Sequence, residues 1–71
     1  MKEAVDKLKN EIDKICTGKR NGRWGDPIVR KTEILLYSTR MFAHLVGGEL
    51  TIDEFKEVDS HRTEKGKQIQ G

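Results

Sequence analysis

The segment between Asp26-Pro27 and Gly47-Gly48 constrains this chain most, because it predicts one long helix that is apolar on most of its sides. Asp is a preferred N-cap, Pro suits the first helical position, and Gly commonly follows the last turn. At about 100° per residue, the apolar side chains form three stripes that cover well over half of the helix circumference. A helix of this kind needs neighbours on several sides.

The three stripes define the surfaces that this helix can offer to neighbours. They comprise Ile34, Tyr37, Met41 and Leu45; then Ile28, Leu35, Phe42 and Val46; and then Val29, Leu36 and Ala43. Only a narrow arc is plainly polar, and it carries Arg30, Glu33, Arg40 and His44.

Two shorter helices are predicted around the central one, which gives an all-α fold. Residues 3–16 repeat apolar side chains at spacings of three and four, as an amphipathic helix does. Thr51 and Glu54 match a capping box that opens a third helix over 52–63. We therefore predict a small three-helix domain over residues 1–59, with helices at about 3–16, 27–46 and 52–63. Residues 60–71 are polar, and we expect them to be a frayed or disordered tail.

The flanking helices offer only short apolar seams, which together do not suffice to cover the central helix. We expect the remainder to face another protein or a second copy of the chain, so that homo-oligomerisation completes the fold. The predicted interface residues are Val29, Leu36, Tyr37, Met41 and Leu45. The alternative is a closed three-helix bundle in which both flanking helices pack tightly and the central face is simply full.

The excess positive charge of the chain is concentrated in one segment. The whole chain has a net charge of +2, whereas residues 17–31 alone hold five basic side chains against Asp26. The only tryptophan, Trp24, lies among them. Basic side chains neutralise phosphates and an aromatic ring can stack on a base, so this loop is a candidate nucleic-acid or acidic-partner site. Its predicted residues are Lys19, Arg20, Arg23, Trp24, Arg30 and Lys31.

One other interpretation of the basic loop remains open. Asp26 would compete with a phosphate for the backbone N–H groups at the start of the helix, and the loop could be merely solvated. A helix-turn-helix is disfavoured because the third predicted helix begins with Asp53, Glu54, Glu57 and Asp59 against a single Lys56, which would repel DNA.

Other classes of function find no matching pattern in the sequence. The two histidines and Cys16 show none of the spacings of metal sites, so we expect no metal and no cofactor. A chain of 71 residues leaves little room for a catalytic pocket, so we expect neither an enzyme nor a small-molecule substrate. No stretch approaches the roughly 20 apolar residues that cross a bilayer, so we expect no membrane partner. A single cysteine is typical of a reducing compartment, which favours the cytoplasm.

The sequence therefore predicts a small non-enzymatic interaction or regulatory protein. It would act through protein–protein contacts on the apolar central helix and the basic loop. A nucleic-acid-binding protein that uses the basic loop and the start of the central helix is the alternative.

Overall fold

The computed structural model describes residues 3–18 and 26–69 and folds them into three mutually packed helices. Helix α1 spans Glu3–Thr17, α2 spans Pro27–Val46 and α3 spans Ile52–Gln68. The predicted all-α class and the long central helix are confirmed. Successive helices run in opposite directions, so the starts of α1 and α3 lie at the same end of the bundle as the end of α2.

Local signals in the sequence set the ends of α2 and the start of α3. The Oδ1 atom of Asp26 accepts a hydrogen bond from the N–H of Ile28 at 2.8 Å, which caps α2. After α2, Gly48 takes a φ of +81°, a conformation that side-chain-bearing residues rarely adopt, and the chain reverses there. At α3, Thr51 and Glu54 exchange two hydrogen bonds of 2.9 and 3.1 Å, which form the predicted capping box.

All three helices contribute to one apolar core. Its buried members are Val5, Leu8, Ile12 and Ile15 from α1, Ile34, Tyr37 and Met41 from α2, Val58 from α3, and Leu50 and Ile69 from just outside the helices. The spacing that predicted an amphipathic α1 is thus the spacing of its buried side chains. Only one side of α2 enters this core.

Polar contacts align α1 with α3 along the surface of the bundle. Lys9 Nζ lies 2.6 Å from Glu57 Oε2, and His61 Nε2 lies 2.7 Å from Asp13 Oδ1. Such partly exposed pairs contribute about 0–1 kcal/mol each, so the apolar core, and not these pairs, carries most of the stability.

The prediction of a frayed tail is wrong for residues 60–69. Helix α3 continues to Gln68, and Ile69 is only 5% exposed, so the packed domain extends beyond residue 59. A Cβ at Gly66 would lie 3.1 Å from Cγ2 of Ile34, so this glycine lets α3 approach α2 closely. Arg62 Nη1 also donates to the carbonyl oxygen of Ile34 at 3.3 Å. The segment packs through a glycine and a long polar side chain, which a search for apolar periodicity does not detect.

Candidate interaction surface

One side of α2 is apolar and exposed along the whole helix, and we call it the outer face. Its nine residues are all exposed, and none of them is charged: Ile28, Val29, Thr32, Leu35, Leu36, Thr39, Phe42, Ala43 and Val46. The exposed fraction is 71% for Ile28, 66% for Leu35 and 82% for Val46. At about 100° and 1.5 Å per residue, the face covers about 140° of the helix over a length of about 27 Å.

The outer face continues onto the start of α3. The rings of Phe42 and Phe55 pack edge to face with their centroids 5.4 Å apart. One turn earlier on α3, Ile52 is 65% exposed. The apolar surface at this end of the bundle is therefore wider than α2 alone.

The polar arc of α2 lies against α1 and not on the open side of the bundle. An open groove of about 350 Å³ between α1 and α2 is lined by charged and polar groups from both helices, including Glu3, Lys7, Arg40, His44 and Glu49. His44 Nδ1 lies 2.7 Å from Glu49 Oε1. As a result, Arg40 and His44 of α2 border α1, while the apolar side chains of the outer face meet water.

The predicted interface residues fall on both sides of α2. Val29 and Leu36 lie on the outer face. Tyr37 and Met41, in contrast, are buried in the core with exposed fractions of 4% and 0%, so the interface role predicted for them is wrong. Leu45 is half-buried and packs against the core. The prediction mixed two stripes because the wheel alone does not show which stripe the flanking helices cover.

Sequence reasoning missed most of the outer face. It did not assign Ile28, Leu35, Phe42, Val46 and Ile52 to an interface, although four of them form one of the three stripes. No Lys, Arg, Asp or Glu interrupts this side of α2 from residue 28 to residue 46. The buried stripe of α2 is equally free of charge, so the sequence alone did not mark which of the two is exposed.

The predicted basic site is described only at its two helical positions. Arg30 is half-buried, and its Nη1 donates a 2.7 Å hydrogen bond to the carbonyl oxygen of Cys16, which ties α2 to the end of α1. Lys31 is exposed at the border of the outer face. The other predicted members, Lys19, Arg20, Arg23 and Trp24, lie outside the described residues.

Next to Lys31, an open basic groove of about 410 Å³ runs along the surface where α2 and α3 meet. Its lining includes Lys31, Leu35, Arg62, Gly66 and Lys67. Arg62 is engaged within the chain, because its Nη2 lies 2.8 Å from Asp59 Oδ1. The groove therefore adds positive charge at one end of the outer face.

The charges of the described helices are segregated between the two ends of the bundle. At the end where α1 and α3 start, residues 3–7 and 49–57 hold six acidic and two basic side chains. At the opposite end, residues 13–14, 26–31 and 62–67 hold six basic and three acidic side chains. The bundle is thus negative at one end and positive at the other.

Several titratable groups of the described helices have a partner within the chain. The Cys16 thiol is half-buried and donates to the carbonyl oxygen of Lys65 at 3.4 Å. Among residues 3–18 and 26–69, no three His, Cys, Asp or Glu side chains converge as a metal site would require. Within the same part of the chain, no helix combines the length and the apolar character needed to cross a membrane.

No protein-family model, no curated protein and no solved structure matches this chain. The functional argument therefore depends on the geometry and chemistry of the chain itself.

Proposed function

We propose that this chain is a small non-enzymatic interaction protein whose binding surface is the outer face of α2. The observation that carries the proposal is a continuous exposed apolar face without a charged residue. Seven large apolar residues are exposed, six on the outer face and Ile52 on the adjoining start of α3. Their exposed fractions add up to about four and a half fully exposed residues. At roughly 150 Å² per residue this is about 700 Å². The largest apolar patch on a typical monomer is about 300–600 Å² and often marks an interaction site.

The orientation of α2 supports the same proposal. A helix that has to satisfy only its own bundle gains free energy by turning its polar arc outward and its apolar arc inward. Here Arg40 and His44 lie beside α1, while Leu35 and Phe42 face water. A partner that covers the outer face would remove this cost. In the proposal the chain works in the cytoplasm, where the Cys16 thiol remains reduced.

A photo-crosslinking amino acid at Leu36 tests this function in cells that make the chain. Leu36 lies on the outer face, so we expect a covalent adduct to a protein after irradiation. The matched control places the same amino acid at Asn10, which is exposed on the far side of α1. Adducts that form equally at both positions, or at neither, would refute the proposal.

Nucleic acid is a second candidate partner, supported by the positive end of the bundle. The described residues at that end have a net charge of +3, and the sequence adds Lys19, Arg20 and Arg23 between α1 and α2. Asp26 argues against a phosphate at the start of α2, because its carboxylate already accepts from the N–H of Ile28.

Titration of Trp24 fluorescence with short oligonucleotides tests this second candidate. Contacts to phosphates release counterions, so saturable quenching should weaken steeply as salt rises. Reversal of charge at Arg20 and Arg23 should abolish the quenching. A spectrum that stays unchanged at low salt would exclude this partner.

A further inference from the structure

We infer that the outer face binds a second copy of this chain, with the two α2 helices packed antiparallel around a twofold axis at the level of residue 37. This inference rests on the proposed function, since it names the partner of the same surface. Four observations carry it: the residue spacing, the pairing of large with small side chains, the charge at the two ends, and the apolar area.

The spacing of the outer face is that of a helix–helix seam. Ile28, Thr32, Leu35, Thr39, Phe42 and Val46 follow one another at steps of four, three, four, three and four. This average step of 3.6 residues matches one turn of an α-helix, so the stripe stays on one side of α2 along its entire length. The alternation of steps of four and three is the one that helix–helix seams use. Val29, Leu36 and Ala43 run beside this seam and widen it.

The seam matches itself when one copy is reversed. With the axis at residue 37, Ile28 lies opposite Val46 of the second copy, Thr32 opposite its Phe42, and Leu35 opposite its Thr39. In the two inner pairs a large side chain then faces a threonine, which favours close packing, and the outer pair joins two branched apolar side chains. In a parallel pair, equal residues would lie opposite each other. Phe42 would meet Phe42 of the second copy where space is short, and each threonine would meet a threonine and leave a gap.

The polar atom of one seam threonine is already satisfied within its own helix. The hydroxyl of Thr32 donates to the carbonyl oxygen of Ile28 at 2.8 Å. Burial of Thr32 against a second copy therefore leaves no unpaired donor and presents its methyl group to the partner.

The charge of the bundle ends selects the antiparallel orientation. A parallel pair would bring the two ends with six acidic side chains together, and likewise the two ends with six basic side chains. The antiparallel pair sets each acidic end beside the basic end of the other copy. Unlike charges at both ends attract, and the attraction weakens with salt.

The exposed area is sufficient for a specific dimer. Stable protein–protein interfaces bury about 600–1,000 Å² on each partner. The apolar surface of the outer face and Ile52 amounts to about 700 Å² at roughly 150 Å² per fully exposed residue. Two copies can therefore form an interface of ordinary size without a rearrangement of the helices.

Sedimentation equilibrium of the purified chain, with charge-introducing variants, tests the dimer. The wild-type chain should sediment at twice its mass of 8.2 kDa at micromolar to millimolar concentration. Leu35→Glu should raise the dissociation constant by about 100-fold, since it buries a charge at the centre of the seam. Asn10→Glu is the matched control on the far side of α1 and should shift it by less than about threefold.

A second variant distinguishes a loss of dimerisation from a loss of folding. Val46→Arg changes the most exposed apolar side chain of the outer face. Both variants should keep the far-UV circular dichroism of the wild type while they dissociate. The inference would be overturned if both variants dimerised as tightly as the wild type, or if the wild-type chain remained at 8.2 kDa at every concentration.

Disulfide trapping tests the orientation in a Cys16→Ser background. Oxidation of a mixture of an Ile28→Cys chain and a tagged Val46→Cys chain should give a mixed disulfide dimer. Each of these chains alone should remain uncrosslinked, because about 27 Å along the axis separates like positions in the antiparallel pair. Crosslinking of each chain with itself and not with the other would show a parallel pair and would overturn the inference.

Failure of this inference can be distinguished from failure of the proposed function. If the purified chain is monomeric but the photo-crosslinker at Leu36 joins a protein of another mass, the interaction function stands and the second copy is wrong. If Leu36 yields no adduct of any mass, the proposed function itself fails.

Discussion

Alanine substitutions at Met41 and Leu36 compare the two sides of α2 within one helix. Met41 is fully buried, whereas Leu36 is 61% exposed. Removal of a fully buried Met side chain costs about 2–5 kcal/mol, because apolar contacts are lost and a cavity remains. A chain of 71 residues has a stability of about 4–10 kcal/mol, so Met41→Ala removes a large part of it. Leu36→Ala should cost less than about 1 kcal/mol within the monomer, since most of this side chain is already in water.

Urea unfolding measures this difference best in the Leu35→Glu background, where association does not contribute. A loss of about 3 kcal/mol from Met41→Ala should lower the midpoint by about 2 M, with a slope of about 1.5 kcal/mol per M. The melting temperature should fall by about 12–24 °C, whereas Leu36→Ala should move it by only a few degrees. Equal losses at both positions would refute the assignment of the core side of α2.

Three further predictions concern α3. Thr51→Ala removes the cap hydroxyl and should cost about 1 kcal/mol in the free energy of unfolding, measured by denaturant titration. The hydrogen bond from the Thr51 N–H lowers the pKa of Glu54 below its ordinary value of 4.5. The Glu54 carboxylate therefore stabilises the fold fully above pH 4.5, and this contribution is lost as pH falls through the lowered pKa. Glu54→Gln should make the free energy of unfolding less dependent on pH in this range. Gly66→Val should lower the melting temperature clearly, because the new side chain meets Ile34; an unchanged value would show that α2 and α3 are not in close contact.

Much of the architecture could be predicted from the sequence because its signals are local. Asp26 and Thr51 mark helix starts through hydrogen bonds to residues two or three positions away. The repeat of Val5, Leu8, Ile12 and Ile15 specifies the buried side of α1 in the same local way. Each of these features depends only on neighbours in the chain.

The side of α2 that enters the core could not be predicted in this way. Tyr37 and Leu36 are adjacent and both largely apolar. Tyr37 is buried because the other helices pack over it, whereas Leu36 remains exposed. The end of α3 escaped prediction for a related reason: Gly66 and Arg62 act through contacts with Ile34, far away in sequence. Contacts of this kind depend on tertiary packing, and a single sequence does not display them.

The lengths of chain between contacting residues also imply an order in which the helices come together. Arg30 reaches Cys16 across 14 residues of chain, whereas Lys9 reaches Glu57 across 48. Closure of the longer loop costs about 1 kcal/mol more in chain entropy. Phe42 of α2 meets Phe55 of α3 across only 13 residues. We therefore expect the pairs α1–α2 and α2–α3 to form first during folding, and the pairing of α1 with α3 to come last.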